Sequence, residues 1–295
     1  MTPLPAPARP VTALSLSGDR AKRGRPLVMG ILNVTPDSFY GGSRVPRIED
    51  AVRRAREMEE AGVDILDVGG ESTRPGSAPA SPEEEARRVL PVVESLAREA
   101  RVPISIDTSK PLVAERAFDA GATILNDVLA MRGDSEMPAV AVRYPVVVLM
   151  HMLGRSPRTM QADPRYKDVV GEISSFLRGR LDAFTRAGGD PARVWLDPGI
   201  GFGKTLEHNI EIMARLEEFA SLGRPLLIGA SRKSFIGSIL GRPGEPALPE
   251  ARLEGSLAAA CRAAEAGAVC VRVHDVAETL RALEVWARIG GGGAG

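Results

Sequence analysis

Residues 103–127 read PISIDTSKPLVAERAFDAGATILND, and this stretch decides the fold. A short apolar run at 103–107 ends in a carboxylate, Asp107. An amphipathic run follows at 111–120, and a second short apolar run at 123–126 ends in an amide, Asn126. Strand, helix and strand in so short a span predict a parallel βαβ unit, because only a crossover helix joins parallel neighbours.

The unit repeats in both directions. Apolar runs at 27–34, 64–69, 103–107, 123–126, 146–151, 194–197, 226–230 and 268–273 predict strands. Each precedes a predicted helix, at 48–61, 82–100, 111–120, around 135–143, and at 167–186, 206–219, 253–266 and 277–289. The second helix carries a start signal: Ser81 as cap, Pro82 at the first position and Glu84 three residues after the cap. Gly188-Gly189 and Gly267 supply stop signals. Eight strand-then-helix units predict an α/β fold, a (β/α)8 TIM barrel, as a single domain over 27–289. An open doubly wound sheet is the alternative. Residues 1–26 are expected to be an N-terminal extension, and GGGGAG at 290–295 a disordered tail.

Composition narrows the function. The chain has 295 residues, 44% of them hydrophobic, which suits one large core. Lys+Arg and Asp+Glu number 38 each, so the basic excess of a nucleic-acid binder is missing. The two cysteines, Cys261 and Cys270, have neither metal-ligand spacing nor a disulfide framework, and read as small buried residues. No stretch is apolar enough to cross a membrane, and 1–10 carries four prolines rather than a leader's apolar run. A cytoplasmic location with no membrane partner is expected.

In such barrels the chemistry sits where strands end. The ends read Asn33 (then Thr35-Pro36-Asp37-Ser38-Phe39), Gly69 to Gly76 (GGESTRPG), Asp107-Thr108-Ser109-Lys110, Asn126-Asp127, Met150-His151-Met152, Asp197 to Lys204 (DPGIGFGK), Ser231-Arg232-Lys233-Ser234 and Arg272-Val273-His274-Asp275. A single polar end is explained by helix capping; a ring of them is not. Asp107, Asn126 and Asp197 suit the edge of an amidine-like or guanidine-like ring, because a carboxylate accepts parallel N–H bonds and an amide both donates and accepts. Arg272, His274, Thr73 and Asn33 suit an anion, and Asn33 offers a neutral oxygen to a Mg2+ that stays mostly on phosphate and water. Lys233 bridges the two halves. His151 reads as structural, His208 as a surface or capping residue, Met150 as packing at the mouth, and the glycines 199, 201 and 203 as turn geometry as readily as a phosphate loop.

These residues lie in segments that resemble the dihydropteroate synthases of the pterin-binding barrel family. The likeness is carried by MGILNVTPDSF (29–39), DVGGESTRPG (67–76), SIDTSK (105–110), ILNDV (124–128), LMHM (149–152), TMQADPRY (159–166), LDPGIGFGKT (196–205), GASRKSFIG (229–237) and VRVHDV (271–276), in family order across ~27–285. The resemblance implies condensation of 6-hydroxymethyl-7,8-dihydropterin diphosphate with p-aminobenzoate to 7,8-dihydropteroate and diphosphate, with Mg2+ assisting. It assigns Asp107, Asn126, Asp197 and Lys233 to the pterin. Thr73, Arg272 and His274 fall to the diphosphate side, and Asn33 to the metal. Thr73, Arg74, Pro75, Phe202, Lys233 and Ser234, with Met150 and Gly201 nearby, then border the substrate subsites, the region where sulfonamides compete. It also implies a homodimer. One departure stands out: Tyr40-Gly41-Gly42-Ser43 follows Phe39 where many family members carry Ser-Asp-Gly-Gly, so a loop aspartate is missing. Three other readings stay open: a pterin-binding paralogue without turnover, a methyltransferase of the same barrel acting on methyltetrahydrofolate, and Schiff-base chemistry on Lys233.

Overall fold

The computed structural model describes Thr12, Leu16, 24–34, 48–71, 80–154, 156 and 159–291. Eight strands alternate with helices in these residues. They are β1 (Leu27–Asn33), β2 (Ile65–Gly69), β3 (Ile104–Asp107), β4 (Ile124–Asp127), β5 (Val146–Met150), β6 (Val194–Asp197), β7 (Leu227–Ile228) and β8 (Cys270–Val273). The helices are α1 (Ile48–Ala61), α2 (Pro82–Glu99), α3 (Pro111–Asp119), α4 (Met137–Ala141), α5 (Val169–Arg186), α6 (Leu206–Ala214), α7 (Ser234–Leu240), α8 (Leu253–Glu265) and α9 (Val276–Trp286). All sheet pairings are parallel, in the order β6-β5-β4-β3-β2-β1-β8-β7. A parallel bridge between Leu196 and Leu226 joins β6 to β7, and Leu196 donates to the Pro225 carbonyl at 2.9 Å. The sheet therefore closes, and the open-sheet alternative is excluded.

Alternation along each strand sorts the core into two parts. Val28, Leu32, Leu66, Val68, Ile106, Leu125, Val147, Leu149, Leu196 and Val271 pack outward against the helices. Leu27, Met29, Ile65, Ile124, Val146, Val148, Trp195, Leu227 and Cys270 form a separate inner cluster. Burying each such side chain contributes about 1.5–3 kcal/mol against leaving it in water. Leu16 joins the inner cluster, so the stretch before β1 touches the barrel at that residue. On five strands the next inward positions are polar: Asp67 on β2, Ser105 and Asp107 on β3, Asn126 on β4, Asp197 on β6 and Arg272 on β8, while β1 and β5 carry Ile31 and Met150 there. Chain alternation alone thus places polar groups at one end of a filled barrel.

Helix α2 begins as the sequence predicts, with the Ser81 hydroxyl accepting from Glu84 N–H. His208 closes a capping box with Thr205 at the start of α6. Three boundaries differ. The sheet keeps only two residues of β7, because the chain leaves it at Gly229 for the Ser231–Ser234 turn, where Arg232 sits at φ 56°. Helix α7 has no counterpart among the predicted helices; it is two turns long, with Gly237 at its middle and Ile239 and Leu240 exposed, so its apolar period is short. The helix expected over 206–219 breaks at Arg215, which leaves helical geometry and gathers Asp168, Glu211 and Glu218; a 3-10 turn, Leu216–Leu222, follows. Gly290 and Gly291 continue from α9 in a π-helical turn, and 292–295 lie outside the described residues. No helix among the described residues is long and apolar enough to cross a membrane.

Candidate active site

Arg272 stands at the centre of the polar end. Its Nε donates to Asp67 Oδ2 at 2.5 Å and its Nη2 to Asp107 Oδ2 at 2.6 Å. Asn126 Nδ2 donates to the same Asp67 oxygen at 3.2 Å. Residues from β2, β3, β4 and β8 are thereby joined inside one cup. The sequence reading set Arg272 on the anion side and Asp107 on the ring side; the structure brings them into direct contact.

Two glycines show what else converges. A Cβ at Gly229 would lie 3.9 Å from both Arg272 and Asp197 Oδ2, so Asp197 is next to Arg272 across that residue. A Cβ at Gly69 would lie 3.6 Å from Asp107 and 3.7 Å from Asn33 Oδ1, so Asn33 shares the same rim. Asp197 is anchored by Gly199 N–H, donated to Oδ1 at 2.7 Å. Gly199 must be glycine: its φ is +70° and a Cβ would sit 1.9 Å from the His151 carbonyl.

Lys233 reaches in from the β7 loop. Its Nζ lies 4.0 Å over the Phe202 ring, and its side chain passes 3.2 Å from where a Gly201 Cβ would be. Phe202 belongs to an apolar wall with Val128, Leu129, Met150, Met152 and Met160. The cup therefore pairs a polar floor with one apolar side, the usual make-up of a site for a flat heterocycle. Gly201 itself spends both main-chain groups on the fold, donating to Asn209 Oδ1 and accepting from Gln161, each at 2.7 Å. Ser234 is exposed at the start of α7.

His274 is fixed by a neighbour. Ser231 Oγ accepts the His274 N–H at 3.2 Å and lies 3.1 Å from Nδ1. The hydroxyl still has its own proton to give, and donating it to Nδ1 is the arrangement that keeps the ring proton on Nε2, facing away from Ser231. Burial, with Arg272 and Arg232 nearby, lowers the imidazole to about 3, so the ring is a neutral donor.

The other charges follow the same balance. Burial pushes the Asp107 carboxyl up, Arg272 opposes it, and Asp67 and Glu85 add to it. Burial raises Asp197 to about 6 against the Gly199 N–H and Lys233. Burial, then Arg272, lowers Lys233 to about 8, with Asp197 and Asp107 opposing. These are the strongly perturbed, mutually facing groups that mark a working site.

Four residues of this arrangement carried no role in the sequence reading. Asp67 is an acid inside an otherwise apolar strand, ILDVG, at an inward position, and that alternation was the signal. Ser231 precedes the Arg-Lys pair and was masked by it. Lys204 is buried and donates to Phe202 O at 3.0 Å while lying 2.9 Å from His151 Nδ1. His151 is structural, as expected, lowered to about 2 by burial and then by Lys204. Ser105 lies beside Asp67 on the next strand. The expectations for Thr73, Arg74, Pro75 and for the first loop, Thr35 to Ser43, fall outside the described residues. Among the described residues no three His, Cys, Asp or Glu side chains gather as a metal cage.

Comparison with known proteins agrees with the geometry. The family model described as "Pterin binding enzyme" matches residues 29–274. The chain is 47% identical over 272 residues to the dihydropteroate synthase of Escherichia coli K12, covering 92% of this chain and 94% of that one. The structure of Xanthomonas albilineans dihydropteroate synthase with 4-aminobenzoic acid is similar at TM-score 0.83 and 46% identity, covering 90% of this chain and 93% of that chain. Yersinia pestis dihydropteroate synthase in a sulfonamide drug complex is similar at TM-score 0.83 and 43% identity, covering 90% and 94%. The chain belongs to the pterin-binding enzyme family, among the dihydropteroate synthases.

Proposed function

We propose that this chain joins 6-hydroxymethyl-7,8-dihydropterin diphosphate to p-aminobenzoate, giving 7,8-dihydropteroate and diphosphate. The observation that carries the reading is the convergence of Asp107, Asn126 and Asp197 with Arg272 and Lys233 in one cup beside an apolar wall. A dihydropterin is flat and presents N–H donors along its guanidine-like edge; two carboxylates and an amide match that edge. Phe202 and Met150 supply surface for the ring faces.

In this reading the C–O bond between the exocyclic methylene and the diphosphate breaks first, and the electron pair leaves with the diphosphate. The cation left on the methylene spreads into the electron-rich ring, and the Asp107 and Asp197 carboxylates favour it electrostatically. Arg272 and the Nε2–H of His274 stabilise the charge growing on the leaving group, together with Thr73. The aryl amine then forms the C–N bond with its lone pair and loses a proton to solvent or diphosphate. By the family resemblance Lys233, Ser234, Phe202, Thr73 and Pro75 would border the p-aminobenzoate subsite and Arg74 would bind substrate; the Lys233 stem passes beside Gly201. The relatives named with 4-aminobenzoic acid and with a sulfonamide drug support that subsite and its competition by sulfonamides.

Asn33 would hold Mg2+ through one neutral oxygen. A single such ligand fits an ion carried largely by diphosphate and water, and does not fit a resident protein-caged metal. Bound there, Mg2+ supplies charge neutralisation to the departing diphosphate. A second copy of the chain and a cytoplasmic setting complete the assignment; the free thiols of Cys261 and Cys270 fit a reducing compartment.

The test is product formation. Purified protein with the pterin diphosphate, Mg2+ and ring-labelled p-aminobenzoate should convert the label to dihydropteroate. Tight pterin binding without conversion favours the inactive paralogue, and methyl transfer from methyltetrahydrofolate favours the methyltransferase. Borohydride should trap nothing on Lys233; a covalent adduct there would contradict the mechanism.

A further inference from the structure

We propose that Asp67 is a positioning residue that sets the donor and acceptor pattern of the ring-binding cup, by fixing the amide of Asn126 and the guanidinium of Arg272. This deepens the proposed function and rests on it.

Asp67 is fully buried on β2, two residues below the strand's end and one inward layer beneath Gly69. A single oxygen, Oδ2, takes both Arg272 Nε at 2.5 Å and Asn126 Nδ2 at 3.2 Å. An ion-paired carboxylate only accepts hydrogen bonds. The amide of Asn126 must therefore turn its NH2 group down toward Asp67, since its own oxygen there would face another oxygen. Oδ1 is left as the free end of that amide among the described residues. With Asp107 and Asp197, the cup then offers acceptors on three sides and calls for a ring edge made of donors.

Arg272 is fixed by the same carboxylate. It holds Asp67 through Nε and Asp107 through Nη2. When a ring N–H edge takes over Asp107, the Asp67 contact remains and keeps the guanidinium in the cup. Asp67 thus lets one arginine change partners without losing its place.

Stability alone gives a poor account of this carboxylate. Among the described residues its second oxygen, Oδ1, is buried without a hydrogen-bond partner, and so is the hydroxyl of Ser105, the residue beside it on β3. Half-satisfied buried charges cost stability, so the acid is not explained by what it adds to the fold.

The experiment measures binding of 6-hydroxymethylpterin and of the lumazine analogue, in which oxo replaces the 2-amino group, by calorimetry. Wild type should prefer the pterin, and Asp67→Asn should cut that preference by about tenfold or more, because an amide at 67 no longer dictates which way Asn126 turns. A preference unchanged in Asp67→Asn, with both ligands weakened alike, would overturn the proposal. A second pair of variants decides the matter even where Asp67→Asn does not fold. Asn126→Asp sets two carboxylates face to face and should lose about tenfold or more in pterin affinity. Adding Asp67→Asn to it restores an amide-to-carboxylate bond of reversed polarity and keeps an acceptor facing the ring, but sets an NH2 against Arg272 Nε, so it should recover part of the loss and not all of it. An exchange pair no better than Asn126→Asp overturns the proposal. Wild type that binds no pterin overturns the proposed function along with it, whereas a binding wild type with indifferent variants sinks this inference alone.

Discussion

Arg272 and Asp107 meet at 2.6 Å although they come from β8 and β3, with β1 and β2 between them. Their contact spans the inside of the barrel and ties the first half of the chain to the last strand. Both side chains are nearly buried, 18% and 14% exposed, so the pair is weakly screened and its loss is felt in full. In the proposed reading, the ring edge of the pterin competes with Arg272 for Asp107.

Lys233 should be indispensable, since its Nζ lies 4.0 Å over the Phe202 ring, where the charged floor meets the apolar wall. Lys233→Ala is expected to lower kcat/KM by about a hundredfold or more for both substrates, while Cys261→Ala, on the outer helix α8, stays near wild type. Steady-state kinetics on the two variants check it. Equal losses in both would mean that the site lies elsewhere.

Rate should depend on pH through opposed groups. Asp197, raised to about 6 by burial, must be ionised to accept, and Lys233, lowered to about 8 by burial and Arg272, must be protonated. The profile of kcat/KM for the pterin diphosphate is therefore expected to be bell-shaped, with an alkaline limb near the Lys233 value and an acid limb at or above the Asp197 value, because burial raises Asp107 as well. A profile flat from about pH 5 to about pH 9 is incompatible with those roles.

Function should oppose stability at Asp197. Its folded carboxyl is raised above the ordinary value, so ionising it weakens the fold, and stability rises as pH falls through about 6. Asp197→Asn removes that cost while keeping an oxygen for Gly199 N–H. It should stabilise the protein by about 1–3 kcal/mol near neutral pH and abolish turnover. Denaturant melts with activity assays report both; a clear loss of stability contradicts the balance described.

Ser231 should act through His274. Ser231→Ala frees Nδ1 and lets the imidazole take either tautomer, so the Nε2–H donor is only partly present. A roughly tenfold loss in kcat/KM is expected, carried by the diphosphate substrate, with p-aminobenzoate KM little changed. A loss confined to p-aminobenzoate would place His274 on the other side of the site.

Asp127 should matter to the fold rather than to the ring. It points outward, accepts from Leu129 N–H at 2.8 Å and Met131 N–H at 2.6 Å, and holds Ala130 and Met131 at φ 50° and 60°. Asp127→Asn keeps only one acceptor for two donors and should destabilise by about 1–3 kcal/mol. Urea unfolding measures it, and an unchanged midpoint would mean the turn supports itself.

Most of the barrel was legible because two periods, one for strands and one for helices, alternate eight times. The ring of strand-end residues was legible for the same reason, since a strand's last inward residue has a fixed place in the cup. What escaped depended on contacts across the barrel. Nothing local to β2 says that Asp67 meets Arg272, 205 positions away. Ser231 matters only because β8 carries His274 beside it, and Lys204 only because it folds back beneath Phe202. Helix α7 was hidden by its length, two turns being too few to show a period.

The most direct measurement is diphosphate release by purified protein given the pterin diphosphate and Mg2+, with and without p-aminobenzoate, beside Asp107→Asn and Lys233→Ala. The account predicts rapid release with p-aminobenzoate, one diphosphate per dihydropteroate, and near-background rates in both variants. Release that ignores p-aminobenzoate and gives no dihydropteroate, or that survives in both variants, would contradict it.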